Sequence, residues 1–259
     1  MCDKNAYKKC IEVFNKINNL NLVFFNYLME YNDKIKEKSC IEKEMFNKLI
    51  KLEKGAFKLV NATWNKIYKL EDIINNKLYF PEKLKFEDME FWFKYQIALE
   101  PTIYGINGEF YCYRQQEGSI THNLDKYILD YVSIFDNMYE YYKSKDEKWR
   151  ELYISYLPHL KNIEPYINDL DDKEKRKLTD GIMDIMKKIS ITEEEFRKIL
   201  GFEFYKVLFG NKNIYNMFSE TERKMNKYAF VKENIILYKL KREIKRIIKQ
   251  IKGIFLKDK

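Results

Sequence analysis

Glycine and proline are scarce, eight and four in 259 residues. These are the residues that make tight turns, so the chain is expected to have few hairpins and long helices. The four cysteines (Cys2, Cys10, Cys40 and Cys112) show no C-x-x-C spacing, and only two histidines are present to join them. That pattern argues against a zinc site and for thiols kept reduced in a cytoplasm. No run approaches the ~20 apolar residues of a membrane span. The first ten residues are too polar for a secretion signal. The expectation is a soluble or peripheral protein.

What is present is a large apolar fraction, 46%, with 21 Tyr and 18 Phe, enough for a sizeable core. The net charge is +8, yet it is not spread over the chain. Residues 232–259 hold ten Lys/Arg against three acids, which leaves 38 basic and 37 acidic residues in the preceding 231. The excess belongs to the tail, and a nearly neutral body argues against nucleic acid as the partner.

The hydrophobic pattern gives an α+β, mostly helical fold. Tyr7, Ile11, Phe14 and Ile17 step at three and four, which predicts a helix over 5–19. The apolar run Leu20–Leu28 reads as a buried strand. A mixed zone follows, with a helix near 70–76, a turn at Phe80-Pro81, and a helix over 87–99 presenting Phe91, Tyr95, Ala98 and Leu99. Residues 103–113 alternate as a strand or hairpin, with Gly105 and Gly108 as bends. From Leu124 onward the chain reads as helical. One helix carries Tyr127, Leu129, Tyr131, Val132, Phe135, Met138 and Tyr142, and another Ile182, Ile185, Met186 and Ile189. Thr192 and Glu195 have the spacing of a capping box. The charge run Asp171–Lys177 reads as a solvated helix face or loop.

Chemistry concentrates between Thr63 and His122. Glu87 and Asp88 sit where a loop enters a helix, and a carboxylate there is held as an anion by the helix dipole and the free amide groups. Such a group can take a proton from a hydroxyl, although acids also simply favour helix starts. His122 has the chemistry to ligate a manganese-type ion, or to be a polar loop residue.

Four segments occur in order: Thr63-Trp64-Asn65-Lys66-Ile67-Tyr68-Lys69, Phe80-Pro81-Glu82, Phe86-Glu87-Asp88-Met89-Glu90-Phe91, and Tyr113-Arg114-Gln115-Gln116-Glu117-Gly118-Ser119-Ile120-Thr121. Together they resemble the second half of family-2 inverting glycosyltransferases of the GT-A fold, most of all bacterial capsule and lipo-oligosaccharide enzymes. The resemblance spans roughly residues 3–125. It implies that Asp88 is the general base, with Glu87 its partner. Trp64 and Asn65 would support the acceptor side of the cleft, and Arg114 and Ser119 would border the donor diphosphate. It also implies a manganese or magnesium ion, a nucleotide-sugar donor and a surface-glycan acceptor. A core position for Trp64 and a surface ion pair for Arg114 remain open alternatives.

The family's nucleotide-binding strand and D-x-D do not precede Phe86-Glu87-Asp88. The one D-x-D, Asp169-Leu170-Asp171, comes after it, in the wrong order. The expectation is therefore the acceptor-side, catalytic-base half of such an enzyme, completed by a partner or a longer chain. The alternative is an inactive remnant serving as a helical interaction module. An incomplete sheet would expose an edge.

In the tail, Ile236, Leu240, Ile244, Ile247, Ile248, Ile251, Ile254 and Phe255 form one face, with Lys and Arg on the others. A basic amphipathic helix of this kind suits an anionic membrane surface, or else docks on a helical bundle. The expected organisation is a partial GT-A domain over 1–123, a helical region over 124–231 and a basic helix over 232–259. The expected place is the cytoplasm, peripheral to the inner membrane.

Overall fold

The computed structural model describes residues 5–31, 34–38, 46–52, 59–114 and 124–209. The chain divides into two compact units, Met1–Ser190 and Ile191–Lys259. The tail beyond residue 209, Ser119 and His122 lie outside the described residues. Among the described residues, no helix is long and apolar enough to cross a membrane.

The first unit opens with α1 (Ala6–Lys16) and β1 (Leu22–Tyr31). Then come β2 (Lys34–Lys38), β3 (Leu49–Lys51), β4 (Lys66–Tyr68), α2 (Leu70–Asn75), α3 (Glu87–Leu99) and β5 (Thr102–Arg114). The sheet runs β2-β1-β5-β3, with β4 also on β1. β1 and β5 pair in parallel at its centre, which is why a long crossover containing α3 separates them. β2, β4 and β3 pair antiparallel at the margins. Among the described residues, β3 pairs only with the start of β5, Thr102–Tyr104.

Alternation along β1 sends Val23 and Phe25 to one face and Leu22, Phe24 and Asn26 to the other. The first set packs with Ala6, Cys10, Leu20 and Phe110 under α1. The second faces α3: Tyr68, opposite Leu22, meets Phe91 and Tyr95 edge-on. A run apolar on both faces is what a central strand covered by helices requires.

The fold class agrees with the sequence reading, mostly helical α+β. Two details differ. Of the two alternatives for residues 103–113 the strand is the one formed, over Thr102–Arg114, and it does not bend at Gly105. Gly105 pairs with Phe24 inside the ladder, and a Cβ there would meet the Phe24 ring at 2.5 Å. The bend expected at Gly108 is a bulge, because the β1 register jumps from Ile106 to Glu109. α3 has the expected bounds, but not one apolar face. Met89, Phe91, Trp92, Phe93, Tyr95 and Ile97 are all buried, because the sheet covers one side and helices the other.

The helical layer holds α4 (Ile128–Lys143), α5 (Arg150–Tyr156), a 3-10 stretch over Leu157–Asp169 containing Pro158 and Pro165, and α6 (Asp172–Lys188). α4 buries Ile128, Tyr131, Ile134, Phe135, Met138 and Tyr142, so Ile128 and not Leu129 faces the core. It runs parallel to α3, joined at successive levels. Lys85 N donates to Asp130 Oδ2 (2.9 Å), Asn137 Nδ2 to Glu90 Oε2 (2.9 Å), and Lys148 Nζ to Glu100 Oε1 (3.0 Å). α6 buries Ile182, Ile185 and Met186. Its Gly181 lies against α4, where a Cβ would stand 2.5 Å from Val132 Cγ1.

Asp171 of the D-x-D is the N-cap of α6: it accepts from Glu174 N at 2.7 Å, with Glu174 reciprocating. Its role there is local capping. The second unit contains α7 (Glu193–Leu200) and α8 (Phe202–Phe209). Thr192 and Glu195 form the expected capping box, and Gly201 turns the chain at φ 86°.

Candidate functional site

Asp88 occupies the first turn of α3. The residue before that helix, Phe86, is left-handed (φ 66°) and gives no side-chain cap, so the helix N-terminal amides are left to other acceptors. The Asp88 carboxylate takes this place, accepting from the Met89 and Asp88 amides. Its pKa is nevertheless raised above the ordinary carboxylate value. Burial is the main cause and Glu87 next to it the second, while the amides and the Lys66 ammonium pull the other way. The result is a carboxylate of increased proton affinity.

Around it stand groups from three elements. Lys66 comes from β4 and is buried, its ammonium donating to Val60 O (2.5 Å), Ala62 O and Asn65 Oδ1 (3.0 Å) and lying 5.1 Å from the Trp92 ring centre. Tyr68 (β4), Tyr131 (α4) and Tyr156 (α5) all have phenols raised by burial first and by the Asp88 charge among the lesser causes. The Tyr131 hydroxyl accepts from Asn162, and that of Tyr156 from Gln96 at 2.6 Å. The Tyr68 hydroxyl is buried and has no hydrogen-bond partner among the described residues. A buried, unsatisfied donor beside a carboxylate is a costly arrangement for a fold to keep without use.

Asn65 lies beneath the site. It is fully buried; its amide donates to Phe25 O (3.2 Å), while its own backbone carbonyl accepts from Phe25 N (3.1 Å). The side chain therefore clamps the β4 approach onto β1 and presents an oxygen to Lys66. Trp64 lies on the other face of the sheet. Its ring is stacked over Tyr111 and Tyr113 (centroids 4.7 and 5.1 Å apart, planes within 21° and 5°), with Tyr27 edge-on. Tyr27 and Tyr111 are register partners on the α1 face, whereas Lys66 and Tyr68 face α3.

Arg114 closes β5. It is paired with Glu30 at 2.9 Å, holding the Glu30 carboxyl below its usual range, and Cys112 Sγ donates to the same oxygen at 3.7 Å. α3 returns antiparallel beside β5, and its thirteen residues span about 20 Å, reaching only half of the strand. Asp88 therefore lies beside the middle of β5, with Arg114 about 20 Å further along. The structure brings Glu87 and Asp88 together with Lys66 and Tyr68. It places Trp64 on the far face and Arg114 at the far end.

A divalent ion finds no set of ligands here. Among the described residues, no three His, Cys, Asp or Glu side chains converge. The half-buried Asp88 faces an ammonium and phenols, which are not a cation's surroundings. Lys66 and Tyr68 lie inside the Trp64–Lys69 segment already singled out. Their approach to Asp88 depends on a three-residue strand paired with β1 some forty positions earlier, and no local pattern announces that.

No family model and no curated protein sequence matches the chain. Among solved structures it is similar to S. aureus TarS, a glycosyltransferase. Against the TarS 1-349 structure in complex with UDP, the TM-score is 0.53 at 13% identity, covering 88% of this chain and 64% of that one. Against a second S. aureus TarS structure, the TM-score is 0.53 at 13% identity, covering 86% and 38%. The chain thus spans less than two thirds of the length of either. At this identity the likeness concerns the fold alone.

Proposed function

We propose that the chain supplies the acceptor-side, catalytic-base part of an inverting nucleotide-sugar glycosyltransferase, with Asp88 as the base. The observation that carries this reading is a half-buried carboxyl of raised proton affinity at a helix N-terminus, beside a cation and a phenol with no partner among the described residues, in a glycosyltransferase-like fold. Asp88 takes the proton of an acceptor hydroxyl as that oxygen bonds to the anomeric carbon. The bond from that carbon to the donor diphosphate breaks, and its electron pair leaves with the diphosphate. Burial makes the carboxylate a stronger base, and Lys66 keeps it ionised between turnovers. The Tyr68 hydroxyl, which makes no hydrogen bond among the described residues, is left to donate to the acceptor oxygen. Glu87 tunes Asp88 through its charge.

The reading extends to a family-2 GT-A enzyme acting on a bacterial surface glycan at the inner membrane, with the basic tail on the anionic leaflet. Its support is the motif succession from Trp64 to Ser119 and the charge pattern of 232–259. The donor and its manganese or magnesium ion would be held by residues outside the described ones. No step of the proton transfer is routed through them.

Calorimetric titration of UDP into the 259-residue chain, with and without manganese, tests the reading. Saturable, manganese-dependent heat supports an enzyme that binds its own donor. Absence of heat assigns this chain to a non-catalytic interaction module of the same fold, unless another chain completes it.

A further inference from the structure

We propose that the cleft between α3, α4 and the connection preceding α3 is a binding subsite for a neutral pyranose ring of the acceptor glycan. Its role as an acceptor subsite rests on the function proposed above, whereas its capacity to bind a sugar does not. The cleft has a volume of about 560 Å³, a size suited to one or two sugar rings. Its mouth carries Tyr79 and Phe80, 65% and 46% exposed, and Tyr141 lines it as well. Phe80 is held flat against Phe91 (centroids 4.5 Å, planes within 19°), so its outer face is fixed before any ligand arrives. Flat aromatic faces offer apolar area to the C–H faces of a sugar ring at little entropic cost.

The polar groups are equally placed in advance. Glu90 is 1% exposed, yet its carboxylate lines the cleft, held by Lys94 on one oxygen and by Asn137 Nδ2 on the other. Enclosed as it is, that carboxylate fixes Lys94 and Asn137, and the partly exposed Lys94 ammonium can donate one hydrogen bond to a sugar hydroxyl. Asn137 keeps its carbonyl oxygen for another. Two cations, Lys77 and Lys94, offset two acids, Glu90 and Glu140. The balance disfavours a phosphate or a cationic ligand and favours a neutral one rich in hydroxyls. The connection that carries Tyr79 and Phe80 is itself unusual: Lys77, Lys83 and Phe86 are left-handed at φ 51°, 63° and 66°. Non-glycine residues adopt that conformation in numbers where the surroundings impose it, and such strain gathers at ligand sites.

The test is titration of the full 259-residue chain with methyl β-D-glucopyranoside, methyl β-D-galactopyranoside and methyl N-acetyl-β-D-glucosaminide, followed by saturation-transfer NMR. At least one should bind saturably in the millimolar range. Tyr79→Ala and Asn137→Leu should each weaken it tenfold or more. Tyr79→Ala, at an exposed position, should leave the thermal melt unchanged. Saturable glycoside binding by a chain that takes up no UDP would leave this subsite standing without the transferase reading, so the two results are separate. No saturable binding of any of the three by the folded wild type overturns the proposal. So does binding that both cleft variants leave intact.

Discussion

Replacing Asn65 by alanine asks whether that side chain holds the fold or touches a ligand. The side chain is fully buried, donates to Phe25 O at 3.2 Å and accepts from Lys66 Nζ at 3.0 Å. Alanine deletes both bonds and leaves both partners in place, in surroundings where water cannot readily substitute. Each lost bond costs about 1–3 kcal/mol, the upper part of the range applying to the ammonium. The void left by the amide adds a smaller amount. The expected loss is about 3 kcal/mol, a large fraction of the stability of an ordinary domain. Urea unfolding followed by tryptophan fluorescence reads it as a lower midpoint at constant slope. Lys66 would also lose one of the acceptors that fix it near Asp88, so the acid limb of any transfer activity should move. An Asn65→Ala protein as stable as wild type but impaired in glycan binding would refute the clamp and make Asn65 a ligand contact.

Asp88 gives a stability prediction of opposite sign. Its folded pKa is raised, so its favourable contribution is complete below the unfolded carboxylate pKa and is lost as pH rises through the folded value. Asp88→Asn should therefore unfold at higher denaturant than wild type at pH 7, with the difference vanishing in acid; equal stability at both pH values counts against a half-buried, disfavoured charge. Gly181→Ala places a methyl 2.5 Å from Val132 Cγ1, and the overpacking costs about 1–3 kcal/mol against about 1 kcal/mol gained in helix propensity. Val132→Ala should rescue it in a double-mutant cycle, and strict additivity would contradict the α4–α6 contact. Gly105→Ala should destabilise by about 1–3 kcal/mol because the Phe24 ring lies 2.5 Å from the added carbon, again readable by urea unfolding. The Cys10 thiol, buried and with its pKa pushed up to about 11, should resist a thiol reagent until the protein unfolds.

Much of the architecture was legible because it is written locally. The α3 start follows Phe80-Pro81 and an acidic first turn, and the structure begins the helix at Glu87. The Thr192 box and the α6 stripe Ile182, Ile185, Met186 were equally readable. β1 was expected as far as Leu28 and runs to Tyr31, because β2 pairs with its more polar end. The candidate site was legible at one point, Glu87–Asp88, and much less so around it. Lys66, Tyr68 and Tyr156 reach Asp88 through pairings and packings tens of residues apart. Asn21 shows the same limit: its side chain joins Asp72 of α2 to Thr102 at the start of β5, 51 and 81 positions away. A half-buried Asn in an apolar run carries no mark of the partners it will find. Glu90 was visible only as a second acid one turn beyond Glu87, since Asn137, which holds it, lies 47 residues on.

The most direct test of the account is sugar transfer by wild type and Asp88→Asn under identical conditions. A panel of UDP-hexoses and UDP-N-acetylhexosamines would be offered to the pyranoside the chain binds, with UDP release followed across pH. The account predicts a wild-type acid limb above the ordinary carboxylate range, and a loss of about 10²–10⁴-fold in Asp88→Asn with the fold intact. Transfer undiminished in Asp88→Asn would contradict it.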